Sequence, residues 1–131
     1  MEGALTPHRI VNPETLPPPA GFAHAVVAAP GRTVYLGGQI GDGPTMSAQF
    51  ASAARNVVTA LRAAGAEPEH LVSLTIFVTD VEEYRKSLSP IGASYRKHFG
   101  KHYPAMALFE VSGLFDPAAR VELVGVAVVP D

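Results

Sequence analysis

Two hydrophobic periodicities alternate along the chain. Phe50, Ala54, Val57, Val58 and Leu61 recur three and four residues apart, which predicts a helix over about Ser47–Ala64 with one apolar face and Gly65 as its stop. Tyr84, Leu88, Ile91, Tyr95 and Phe99 make a second stripe of the same period, opened by Asp80 with Glu83 at capping-box spacing and closed by Gly100. Pro90 lies inside that stripe and predicts a kink or a break, with Ser89 able to cap a new start. The remaining apolar runs are short and rich in branched or aromatic residues, as strands are: His8–Val11, His24–Ala29, Thr33–Gly38, Leu71–Val78, Tyr103–Val111 and Arg120–Val129. Pro104 sits where a strand tolerates proline, at its first residue. Pro30-Gly31 predicts a hairpin between the second and third runs, and Asp116-Pro117 a turn between the last two. The order is ββαβαββ, an α+β fold with a mixed sheet and two helices on one face. Pro13 and Pro17-Pro18-Pro19 make residues 1–20 a proline-rich, extended segment at the head of one domain spanning 1–131.

Composition narrows the function classes. With 47% hydrophobic and 17% charged residues in 131, the chain is apolar for its size, and part of that surface is expected to be hidden in an oligomer. A net charge of −2 without any basic block supplies no electrostatic footprint for nucleic acid. The absence of cysteine excludes a disulfide frame, a thiolate metal site and a cysteine nucleophile. No apolar run approaches the length of a membrane span, and Met1–Pro7 lacks the pattern of a signal peptide, so no membrane association is expected and the expected location is cytoplasmic.

Few residues stand out as candidates for chemistry. Glu122 lies in Val121-Glu122-Leu123-Val124-Gly125-Val126, a strand whose two faces are both expected to be covered. A carboxylate there is costly unless paired, hydrogen-bonded or near water, and such groups serve as acids or bases. The alternative is a strand-end carboxylate that reaches solvent or pairs with Arg120. Gly37-Gly38-Gln39-Ile40-Gly41 allows close approach by a ligand or another backbone, or is a bulge without a ligand. His24 opens a strand where it can shuttle protons or serve structurally. His98 and His102 are four apart, but Gly100 and Pro104 break the helix that would align them and no third ligand is evident, so no metal is expected. Tyr84, Tyr95 and Phe99 read as core.

Taken in order, Gly37-Gly38-Gln39-Ile40, Ala53-Ala54-Arg55-Asn56-Val57, Ala63-Ala64-Gly65, Val78-Thr79-Asp80, Tyr95 with Phe99, Tyr103-Pro104-Ala105 and Val121-Glu122-Leu123 resemble the Rid/YjgF (L-PSP endoribonuclease-like) family over nearly the whole chain. The resemblance implies a chorismate-mutase-like fold, a homotrimer with ligand clefts between subunits, and cofactor-free hydrolysis of small imines and enamines. It assigns Glu122 to hold the attacking water, and Gly37, Gly38, Met106, Ala107, His24 and Gly92 to the substrate pocket. Met106 stands where the family's carboxylate-gripping arginine belongs, Ala23 where a pocket tyrosine often lies, and Gly92 where asparagine is frequent. A methionine cannot neutralise a carboxylate and suits an uncharged or aromatic ligand better. The alternative is a homologue that binds a small apolar metabolite without turning it over. A ribonuclease, suggested by the family's older name, finds little support in an acidic chain.

Overall fold

The computed structural model describes residues 5–131, so the first four residues of the proline-rich segment lie outside it. The strands are β1 (Arg9–Val11), β2 (Ala25–Val27), β3 (Gly31–Tyr35), β4 (Leu71–Val78), β5 (Ala105–Glu110) and β6 (Val121–Pro130). The α-helices are α1 (Met46–Ala63), α2 (Val81–Lys86) and α3 (Leu88–Phe99), with a 3₁₀ turn over Pro68–His70. Four strands form a mixed sheet of order β3-β6-β4-β5, in which β6 runs antiparallel to both neighbours and β4 pairs with β5 in parallel. The expected α+β architecture is therefore present, with β1 and β2 as a separate antiparallel pair.

Helix α1 begins where Thr45 accepts a hydrogen bond from the Ala48 amide (3.1 Å), and its buried stripe of Met46, Phe50, Ala53, Ala54, Val57 and Leu61 lies in one cluster with Leu74, Ile76, Val78, Val121 and Leu123 of the sheet. From α3, Ile91, Tyr95 and Phe99 complete that cluster. Tyr95 stacks on Tyr103 (centroids 4.9 Å apart) and donates its hydroxyl to the His102 carbonyl (2.8 Å). Pro104 is buried just ahead of β5, and its carbonyl accepts from Ala23 (3.0 Å). No helix among the described residues is long and apolar enough to cross a membrane.

Two expectations about how the elements pair and break need correction. The β2–β3 hairpin does not form: β2 pairs with β1, and β3 pairs with β6 through five residues. Gly31 is the first residue of β3 rather than a turn residue, and a Cβ there would lie 2.0 Å from the Val129 carbonyl oxygen, so its bareness serves the long-range ladder. The Ala29 amide, which a hairpin would have used, donates to His8 Nδ1 (3.0 Å) instead. The second helix breaks at Ser87, not at Pro90, and Ser89 caps nothing. Pro90 falls in the first turn of α3, where its missing N–H leaves no helical bond unmade. The break also frees Leu88 from the stripe, leaving it 56% exposed.

Among the described residues, helices cover one face of the four-stranded sheet and leave the other bare. On the other face stand Phe77 and Phe109, stacked 6.1 Å apart, with Val124, Val126 and Tyr35. Phe109 is 52% and Tyr35 79% exposed, so the expectation that both faces of β6 are covered is not met within one chain.

His102 generates a testable pH dependence. It is buried, its Nε2 bonds the Leu71 carbonyl (2.8 Å), and desolvation holds its pKa below the ordinary 6.5 despite that bond. The unfolded chain therefore takes up this proton before the folded one, so the contribution is complete above about pH 6.5 and is lost as pH falls through the lower folded-state value. Urea unfolding between pH 7.5 and 5 should show His102→Leu losing about 1–3 kcal/mol at pH 7.5 through the orphaned carbonyl, and falling less steeply than wild type on acidification.

Candidate functional site

The sheet is irregular where β3 gives way to the next loop. Leu36 donates to the Gly125 carbonyl (3.0 Å), and Gln39 exchanges two hydrogen bonds with Leu123 (2.8 and 2.9 Å). Three steps from Leu36 to Gln39 thus oppose two from Gly125 to Leu123, which makes Gly37-Gly38 a β-bulge. Into that bulge leans Glu122: a Cβ on Gly38 would lie 1.9 Å from its Oε2. Asn56 of α1 holds the segment beyond by donating to the Ile40 carbonyl (2.8 Å). Among the described residues, Glu122 has no ion-pair or hydrogen-bond partner, although it is only half-buried and so remains within reach of water. Arg120, the possible partner by sequence, pairs instead with Glu83 (3.0 Å), which takes Glu83 out of the capping box while Asp80 caps α2 alone. Gly37 beside it has open space where a side chain would begin.

Met106 lies elsewhere. In β5 it pairs with Leu74, whose side chain is in the core, while Glu122 pairs with Phe77 three residues further along β4. Strand alternation therefore puts Met106 on the helix side and Glu122 on the bare side of the same sheet. Met106 lines an apolar cavity of about 280 Å³ with Gly21, Phe22, Ile76, Tyr84, Ala107 and Leu108. No charged side chain takes part in that wall. Ala107 contributes from the strand edge, and its own Cβ falls on the other face, opposite Thr75.

His24 stands one layer behind this cavity. Its Nε2 bonds the Pro17 carbonyl (2.8 Å), its amide donates to Asn12 (2.9 Å), and its ring meets Phe22 edge-on at 5.2 Å. It thus ties the proline-rich segment to the cavity wall. Gly92 is on α3, where a Cβ would meet only Arg96 (3.3 Å), apart from the other candidates. His98 and His102 do not come together: His102 is committed to Leu71, whereas His98 is on the cationic flank of α3, its pKa lowered by desolvation and by Lys97 and Arg55. One residue that the periodicity assigned to the core, Tyr84, proves to face the Met106 cavity. A larger depression of about 810 Å³ lies between the loops at Ile40–Pro44 and Ser112–Arg120, but it excludes both Glu122 and Met106. Its buried amide, Gln49, is fully engaged by Gly43, Ala118 and Arg120.

Comparisons of the sequence and of the fold with known proteins place the chain in a family. Residues 13–129 match the model of the Endoribonuclease L-PSP family, and the chain belongs to that family, the Rid/YjgF group. Human 2-iminobutanoate/2-iminopropanoate deaminase is 28% identical over 130 residues, covering 92% of this chain and 89% of that one. The structure of the Rid-family protein YyfB from Yersinia pestis superposes with a TM-score of 0.82 at 30% identity, over 93% of this chain and 98% of its own. Rv2704 from Mycobacterium tuberculosis, a YjgF/YER057c/UK114 family member, gives 0.66 at 33% identity over 83% and 87% of the two chains.

Gly38→Ala tests the bulge. The atom in the way is the flexible end of a side chain, so the carboxylate moves rather than the backbone. Thermal unfolding should register a cost of about 1 kcal/mol or less, while a crystal structure shows the Glu122 carboxylate swung away from residue 38.

Proposed function

We propose that the protein is a cofactor-independent hydrolase of small reactive imines and enamines, built as a homotrimer of one-domain chains. The observation that carries this reading is the unpaired Glu122 carboxylate at the Gly38 bulge, in a family whose curated relatives include imine deaminases. The bare apolar sheet face supports assembly, since Phe77, Phe109, Val124 and Val126 would be withdrawn from water by a neighbouring copy. Met106 and Glu122 project from opposite faces, so a cleft containing both takes Met106 from one protomer and Gly38 with Glu122 from the next. There Glu122 accepts a proton from water as it attacks the C=N carbon, and ammonia departs with a carbonyl product left behind. Water is the only co-reactant in such a hydrolysis.

A second reading has its own observation. The Met106 cavity lacks the cation that would grip a carboxylate, which favours a cleft that binds a small apolar metabolite without converting it. Ammonia release from enzymatically generated imines separates the two. Glu122→Gln should lower kcat by about 10²–10⁴-fold with the fold intact, whereas equal rates in both proteins exclude the general base. Activity that appears only in Met106→Arg would favour the binding reading.

A further inference from the structure

Tyr84 is the one side chain with a polar group in the wall around Met106. Its ring packs edge-on against Phe50 of α1 (6.5 Å), which fixes its direction, yet its hydroxyl makes no hydrogen bond among the described residues. The hydroxyl is not sealed in, since among the described residues no fully buried side-chain polar atom lacks a partner. Tyr84 lines the cavity together with Phe22, Ile76, Met106 and Leu108. Desolvation raises the phenol's pKa, so it stays protonated throughout the physiological range and can donate. A carboxylate entering this space would lose its hydration and meet no cation. A neutral molecule with an apolar body and one acceptor atom would lose little and find a donor.

We propose that this cavity selects neutral imines derived from amines, with Tyr84 donating its hydroxyl hydrogen to the imine nitrogen. This rests on the hydrolase reading above and assigns its substrate class. Water adds to the C=N carbon, forming the C–O bond as the nitrogen gains a proton. The C–N bond of the resulting carbinolamine then breaks to give ammonia and a neutral aldehyde or ketone. One water is consumed, and nothing is oxidised or reduced. Imines of this kind arise when a primary amine without a carboxylate loses two electrons and two protons to an acceptor, so an amine-oxidising reaction must supply the substrate.

Two imines that differ only in the carboxylate test this. Phenethylamine oxidised by a flavin monoamine oxidase gives the neutral one, and L-phenylalanine oxidised by an L-amino acid oxidase gives the other. Wild type should hydrolyse the neutral imine with a kcat/KM at least about tenfold higher. Tyr84→Phe should lower that value about fivefold, mainly through KM, and Met106→Arg should shift preference to the carboxylated imine. Preference of wild type for the carboxylated imine would overturn the substrate class and leave the hydrolase reading standing. Calorimetric titration with phenylacetamide and phenylacetate tests the cavity apart from turnover. Tighter amide binding that weakens in Tyr84→Phe supports the assignment even if neither imine is hydrolysed, an outcome that would sink only the hydrolase reading. Equal or reversed binding overturns it.

Discussion

Successive side chains of a strand point to opposite sides of its sheet, and that alternation governs where chemistry can occur in this protein. On the helix side, β4 and β6 present Leu74, Ile76, Val78, Val121 and Leu123 to one continuous core. On the other side the same strands carry Thr75, Phe77, Glu122, Val124 and Val126, with no helix to cover them. Apolar side chains left in this way lose the stabilisation that burial brings, about 25 cal/mol per Å² withdrawn from water. The parity that exposes them also separates Met106 from Glu122. In the proposed trimer each chain would carry two half-sites, and the arrival of another copy would cover the bare face and bring Met106 and Glu122 together.

Around both Glu122 and Met106 the backbone arranges what the side chains do. The bulge at Gly37-Gly38 interrupts the β3–β6 ladder beside Glu122, and the missing side chain at residue 38 gives the carboxylate room. Asn56 ties the following loop to α1, which is anchored by the largest buried side chains of the fold. On the other half, β5 is an edge strand, so Met106 is flanked on one side by Leu74 and on the other by the arm that carries Phe22. His24 and Pro17 brace that arm. The cavity wall is thus tied to the proline-rich segment as well as to the sheet.

The regular elements were legible because burial imposes a period. The apolar stripe set α1 to within a residue, and β4 occupies the residues expected of it. Strand partners were not legible in the same way. The choice of β6 over β2 as the partner of β3 depends on a contact between Gly31 and Val129, far apart along the chain, while the Pro30-Gly31 pair by itself looks like a turn. The face of Met106 was hidden too, since Ala105-Met106-Ala107-Leu108-Phe109 is apolar at every position and shows no alternation. Glu122 stood out as an acid among valines, and its proximity to Gly38 follows from the bulge. Tyr84 was assigned to the core by its spacing. Its ring does pack there, but the free hydroxyl emerges only when Phe50 and the Met106 cavity are seen together. Gly92, carried over by position alone, would meet only Arg96 among the described residues and lies apart from both Glu122 and Met106.

A cleft shared by Met106 and Glu122 requires that copies of the chain associate through the uncovered sheet face. Sedimentation velocity at micromolar concentration measures this directly. A single species of about three times the 13.7 kDa chain mass, dissociated by charged substitutions at Phe109 and Val124, is the expected result. A 13.7 kDa monomer that persists as concentration is raised would contradict it, leaving Met106 and Glu122 on opposite sides of one sheet with nothing to bring them together.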